Sequence, residues 1–173
     1  MKKSIVLFVL FSTFTWGQTD KNEQIEFTPE ASFAFSSQFY LGDNYLSKGH
    51  NDGIGGYFKF NFITYKKFKL GFQFEKTTQK VTDKAIGGNI AKTNSNSLGA
   101  IISYQVFTTN KLAFEPQFKL ASLELRQKDG SKFYGSQNGT KIGISSDVIY
   151  KFNKTLSIFT NVGYNYSFLK VET

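Results

Sequence analysis

Period-two alternation runs through this chain in segments too long for an ordinary strand. Phe58, Phe60 and Phe62 stand opposite Tyr57, Lys59 and Asn61, and Phe68, Leu70, Phe72 and Phe74 stand opposite Lys69, Gly71, Gln73 and Glu75. Leu98, Ala100, Ile102, Tyr104 and Val106 alternate with Ser97, Gly99, Ser103 and Gln105. Leu112, Phe114, Pro116, Phe118 and Leu120 alternate with Glu115, Gln117 and Lys119. Ile142, Ile144, Val148, Tyr150 and Phe152 face away from Lys141, Gly143, Ser145 and Asp147. Leu156, Ile158, Val162, Tyr164, Tyr166 and Phe168 face away from Ser157, Asn161, Gly163, Asn165 and Ser167. The earliest segment sets Phe33, Phe35, Phe39 and Leu41 against Ser32, Ala34, Ser36 and Gln38. Successive side chains of a strand point to opposite faces, so each segment has one apolar and one polar face. No window beyond the N-terminal segment carries a 3.6-residue pattern, which predicts no helix there.

The alternation extends over about 10 to 14 residues per segment, against ~5–6 for an ordinary strand and ~9–11 for one crossing an outer membrane. Connections alternate in length. Gly42 to Gly53, Gln79 to Asn96 and Lys128 to Gly139 are long, while Lys66-Lys67, Thr108 to Lys111 and Asn153 to Thr155 are short. Long loops at one end and short turns at the other are the pattern of a transmembrane β-barrel, here an all-β, antiparallel, up-and-down meander. Two irregularities stand out in the fifth segment. The apolar positions change parity after Leu120, which predicts a β-bulge at Ala121-Ser122 that returns Leu123 and Leu125 to the apolar face. Pro116 cannot donate to a ladder, which predicts irregular pairing there.

The polar faces decide which side is outside. They mix Gly71, Gly99, Gly143 and Gly163 with Ser32, Ser36, Ser97, Ser103, Ser145 and Ser157. Small residues suit a narrow lumen shared by long side chains from opposite walls. Lys59, Lys69, Glu75, Glu115, Lys119, Lys141 and Asp147 then form a structural ion-pair network inside it, because buried charges are tolerated when paired. Tyr40, Tyr104, Tyr150, Tyr164 and Tyr166 fall near strand ends, as interfacial girdles require. Tyr57 and Tyr65 fall on the polar side. A soluble lipocalin-like periplasmic ligand-binding barrel, with the apolar face inward, is the alternative assignment of the same pattern.

The N-terminus has its own logic. Met1-Lys2-Lys3, the apolar run Ser4 to Phe14 and the small-residue positions of Thr15-Trp16-Gly17 make a three-part secretory signal with cleavage before Gln18. The expected organisation is a signal peptide over 1–17, an N-terminal segment over 18–27 and a barrel domain over 28–173. Removing Lys2 and Lys3 leaves 19 basic against 13 acidic residues, a net +6. No Cys follows the cleavage site, which argues against a lipid anchor, a disulfide framework and a thiol nucleophile. A single His removes sites that need two imidazoles.

On these residues the chain resembles the small eight-stranded outer-membrane barrels of Gram-negative bacteria, the OmpA/OmpX type. Asn161-Val162-Gly163-Tyr164-Asn165-Tyr166-Ser167-Phe168 is similar to the polar-x-Gly-x-x-apolar-x-apolar signal of that family's last strand, although Leu169 to Thr173 follow it here. The resemblance implies a location in the cell outer membrane, contact with its lipid and lipopolysaccharide, and handling by the barrel-insertion machinery. It also implies a non-enzymatic scaffold that displays extracellular loops to a partner the sequence does not name. The family has eight strands and seven are legible, so the expectation is a chain lacking its last strand or one closed by an unusual pairing.

Other chemistry is sparse. His50 reads as a solvated loop residue beside Asn51 and Asp52, with no fixed Ser-His-Asp partner, so no catalytic residue, cofactor or metal is expected. Asp43, Asp52, Asp83 and Asp129 lack the ligand spacing of a calcium loop. The basic residues are too scattered for nucleic acid, whereas Lys48, Lys80, Lys84, Lys92, Lys128 and Lys132 are placed to meet lipopolysaccharide phosphates. Asn138-Gly139-Thr140 reads as a turn. A low-conductance porin-like channel and a barrel-type lipid-modifying enzyme resting on His50 are the remaining alternatives.

Overall fold

The alternating segments pair into one antiparallel sheet. The computed structural model describes residues 25–42, 44–153 and 156–170; residues 1–24 (the expected signal peptide among them), Asp43, Lys154-Thr155 and Val171 to Thr173 lie outside them. The elements are β1 (Ile25–Gln38), α1 (Tyr45–Gly49), β2 (Gly53–Tyr65), β3 (Phe68–Lys80), α2 (Lys84–Gly87), β4 (Lys92–Tyr104), β5 (Phe107–Thr108), β6 (Leu112–Asp129), β7 (Lys132–Lys151) and β8 (Ser157–Leu169). The sheet has eight strands in the order β1-β2-β3-β4-β6-β7-β8, with β5 pairing only with β6. β5 is two residues long, so seven strands form the wall. Six antiparallel steps separate β1 from β8. The two therefore run in the same direction, and each has a single strand neighbour among the described residues.

The sheet curls so that its polar face is inside. Ile101, Asn61, Gln73, Glu115 and Asp147 are no more than 1% exposed, while Phe33 is 76%, Ile144 64% and Val162 73% exposed on the outer face. Outer-face aromatics meet across strands, Phe33 with Phe58 at 4.8 Å, Phe60 with Phe72 at 5.5 Å and Phe68 with Tyr104 at 4.8 Å between ring centroids. Such pairs add to sheet stability beyond simple burial. On β6 the belt runs from Leu112 to Leu120, about 26 Å along the strand at ~3.3 Å per residue. Above it the outward positions turn polar at one height on three neighbouring strands, where Lys76 pairs with Asn96 and Asn96 with Glu124.

Several expectations are corrected. Two one-turn helices occur. Asn44 caps α1 by accepting from Leu46 and Ser47 N–H, and Asp83 caps α2 by accepting from Ala85 N–H. One turn is too short to generate a periodic signal, and side-chain caps hold both. The long connection expected between Lys128 and Gly139 is instead a hairpin. β6 and β7 extend to 18 and 20 residues and turn at Gly130, whose φ is 56°. Asn138-Gly139-Thr140 lies inside β7 and is not a turn, with Asn138 opposite Glu124 and Thr140 opposite Ser122. From Lys128 to Gly139 the hairpin is polar or Gly on both faces apart from the adjacent, exposed Phe133 and Tyr134, so it shows no alternation to read.

The β-bulge expected at Ala121-Ser122 is absent. Both ladders of β6 pass Leu120 to Leu125 without a register shift, and the shifts fall at Phe27/Glu30, Asn61/Ile63 and Gln127/Lys128. Leu123 and Leu125 therefore face inward and are buried at 5% and 2%. Pro116 sits opposite Ser146 in regular register, just beyond the last β4–β6 pair at Ser103 and Gln117, so its missing N–H breaks no ladder there. The shift after Asn61 puts Tyr65 opposite Phe68 on the outer face, not on the polar side. Tyr164 lies opposite Ile144 within the belt, so it is not a girdle residue.

The tightness of the wall yields a test. A Cβ on Gly99 would lie 2.1 Å from the Leu120 carbonyl oxygen, whereas one on Gly135 meets nothing within 4 Å. Gly99→Val is expected to destabilise the folded sheet by ~1–3 kcal/mol, as overpacking does, with Gly135→Val within ~0.5 kcal/mol of the parent. Guanidinium unfolding midpoints in detergent check the ranking.

Candidate functional site: a charged lumen beneath an apolar cap

Asp147 is the hub of the lumen. Its carboxylate pairs with Lys59 of β2 and accepts from the side-chain amides of Gln117 on β6 and Asn161 on β8, so four strands converge on one fully buried group. Charge-assisted hydrogen bonds of this kind are what make a buried carboxylate tolerable. A second pair joins Lys141 of β7 to Glu75 of β3 at 2.7 Å, and the Ser36 hydroxyl of β1 donates to the same carboxylate. Lys69 on β3 holds two acids, Glu115 of β6 at 2.7 Å and Glu30 of β1 at 3.0 Å. Lys119 donates to Asn161 at 3.3 Å and lies 5.2 Å over the Tyr57 ring. Tyr57 in turn approaches Phe159 of β8 at 6.4 Å across the lumen.

All seven charges singled out in the sequence lie on the inner face, and six of them form three direct ion pairs with one another, Lys59–Asp147, Lys69–Glu115 and Lys141–Glu75. Sequence reasoning missed Glu30, Gln117 and Asn161 as members. Glu30 was findable, because it shares the parity of Ser32 and Ser36 on the first segment.

The lumen is covered at the loop end. Leu46 of α1 drops onto Leu123 and Leu125 of β6, with Tyr40, Tyr45 and Leu169 packed around them. The parity change after Leu120 thus reflects a change in what the lumen must receive. Below that height it faces charges, and at it an apolar plug. Backbone contact locks α1 to α2, since a Cβ on Gly49 would lie 2.9 Å from the Gly87 nitrogen. The Tyr45 hydroxyl donates to the Gly87 carbonyl at 3.2 Å and accepts from Gln127 at 2.8 Å. Tyr40 is turned into this cap and is not an interfacial girdle residue. Its hydroxyl donates to Gln38 at 3.0 Å and accepts from Gln79, and burial pushes it up to about 12, which keeps the donated proton in place.

His50 belongs to the cap, which corrects its reading as a solvated residue without a fixed partner. It is 6% exposed, its Nε2 bonds to Thr93 Oγ1 at 2.8 Å, and its ring stands edge-on to Tyr45 at 4.9 Å. Its backbone bridges to Val81. Thr93 is fully buried, and no carboxylate among the described residues bonds to the ring. The pair can hold the cap but offers a substrate no access. Burial pushes the imidazole below its ordinary 6.5, opposed by the Tyr45 backbone. Compared with family models, curated proteins and solved structures, the chain has no match.

Two outcomes follow. Lys59→Met leaves Asp147 without its cation and is expected to cost ~3–5 kcal/mol of unfolding free energy, whereas Lys59→Met with Asp147→Leu recovers most of it. Chemical denaturation of both variants checks this. The cap should also weaken in acid. A ring whose folded value is depressed is neutral when packed and takes up its proton on opening, so the stabilisation is full above 6.5 and is lost as pH falls below it. The protection factors of amides 45–52, corrected for the intrinsic pH dependence of exchange, are expected to fall below pH 6.5 in the parent and to stay flat in His50→Gln.

Proposed function

We propose that this protein is an outer-membrane β-barrel of the small, plugged type, a non-enzymatic scaffold that holds capped loops at the cell surface. The observation that carries the reading is the inversion of faces. Lys59, Glu115 and Asp147 are almost fully buried, while Phe33, Phe72 and Ile144 are left on the outside. A protein in water buries its large apolar side chains and pairs its charges at the surface. The reverse arrangement, on strands of 13 residues or more apart from β5, is the one that hydrocarbon solvates. A lipocalin-like barrel needs an apolar pocket, and this lumen is filled with ion pairs and amides. A channel needs a continuous aqueous path, which Lys59–Asp147, Lys141–Glu75 and the Leu46 plug obstruct. The lipid-modifying reading loses support from the burial of His50 and Thr93. The secretory signal over 1–17 supplies the route, and β8 carries the segment resembling an insertion signal.

The test is insertion. The protein is expected to fold into lipid vesicles with a β-type circular dichroism spectrum and a heat-modifiable shift on unboiled gels. Phe72→Arg should cost ~2–4 kcal/mol of insertion free energy, as cations near the bilayer midplane do. A soluble, detergent-free monomer with the same spectrum would overturn the reading.

A further inference from the structure

Three lysines stand side by side on the outer face above the apolar belt. Lys80 of β3 is directly opposite Lys92 of β4, and Lys92 is directly opposite Lys128 of β6. Their inward neighbours Gln79 and Thr93 are fully buried, and Gln127 reaches the cap, which leaves all three lysines outward. Like charges directly opposite on neighbouring strands repel. Among the described residues no carboxylate pairs with any of the three. A triple ladder of one sign is therefore an expense within the chain and an asset only toward an anion.

Directly below the ladder, on the same three strands and bordered by Asn138 and Gly139 of β7, lies a groove of about 620 Å³. Its floor is Phe74 and Leu98 at the top of the belt, and its walls carry Lys76, Asn96, Arg126 and Glu124. Glu124 is held by Arg126 Nε at 2.7 Å and by Asn96, so the acid is committed and Lys76 is left facing the groove. Read upward, one column of the surface passes from apolar rings through a cationic groove to three lysines. Single exposed charge pairs are weak, and several converging on one multivalent anion are not.

We infer that this column on β3, β4 and β6 binds a surface glycolipid carrying at least two phosphates, with its acyl chains along Phe74 and Leu98 and its phosphates on Lys76 and the lysine ladder. The inference rests on the outer-membrane reading and gives it a specific lipid contact of the lipopolysaccharide class.

The experiment uses the full mature chain in neutral-lipid nanodiscs and a fluorescent bisphosphorylated lipid A as the probe, with monophosphorylated lipid A and inorganic pyrophosphate as comparisons. The test variant is K80Q/K92Q/K128Q, which leaves the lumen and belt untouched, and the heat-modifiable gel shift reports its folding. The parent is expected to bind the bisphosphorylated lipid at least ~10-fold more tightly than the folded triple variant, with a steeper salt dependence. Monophosphorylated lipid should bind more weakly to the parent, and pyrophosphate should not displace the probe. Equal affinity of parent and triple variant overturns the inference while leaving the membrane reading intact. Displacement by pyrophosphate overturns it in favour of a free-anion site. Failure of the parent to enter the nanodisc sinks the membrane reading itself, and the inference with it.

Discussion

One buried carboxylate organises the interior. Asp147 is reached by Lys59, Gln117 and Asn161, so the curl of the sheet from β2 round to β8 closes on a single charge that water does not touch. β1 is tied inward by Glu30, which pairs with Lys69, and by the Ser36 hydroxyl, which donates to the Glu75 carboxylate that Lys141 holds. Both edge strands are thus fastened through the lumen. In a small barrel this is the economical solution, since the interior is only wide enough for side chains. It also dictates the outside. Once the charges are paired within, the aromatic and branched residues of every wall strand have only the exterior left.

Among the described residues β1 and β8 stand at the two ends of the strand order. Because the two run in the same direction, a neighbour antiparallel to both would run from the cap end to the turn end. Unpaired backbone groups are costly in hydrocarbon. The inner-face residues of β8 above Asn161, namely Gly163, Asn165 and Ser167, are exposed beside this edge.

The wall was legible in the sequence because each of its strands separates two environments, and period-two contrast is what such a strand records. Lys59, Lys69, Glu75, Glu115, Lys119, Lys141 and Asp147 could be placed on the inner face for the same reason. The cap was not legible. α1 and α2 are single turns held by Asn44 and Asp83, and Leu46 is one apolar residue among polar neighbours. Leu123 and Leu125 were visible as a parity change, but a bulge and a change of partner leave the same trace in sequence. The structure decides for the partner, Leu46. The β6–β7 hairpin escaped because water lies on both its faces, so strand and loop look alike there. His50 escaped because burial under a neighbouring helix is a tertiary fact that its loop composition does not record.

The absence of cysteine in the chain makes the central claim directly measurable. Single cysteines placed in turn at positions 142 to 150 of β7 and spin-labelled in lipid vesicles report contact with lipid-dissolved oxygen. The account predicts that even positions, including Ile144 and Val148, are oxygen-accessible and odd positions, including Ser145 and Asp147, are shielded. An alternation of opposite phase, or high accessibility to a water-soluble relaxant at Ile144 and Val148, would contradict it.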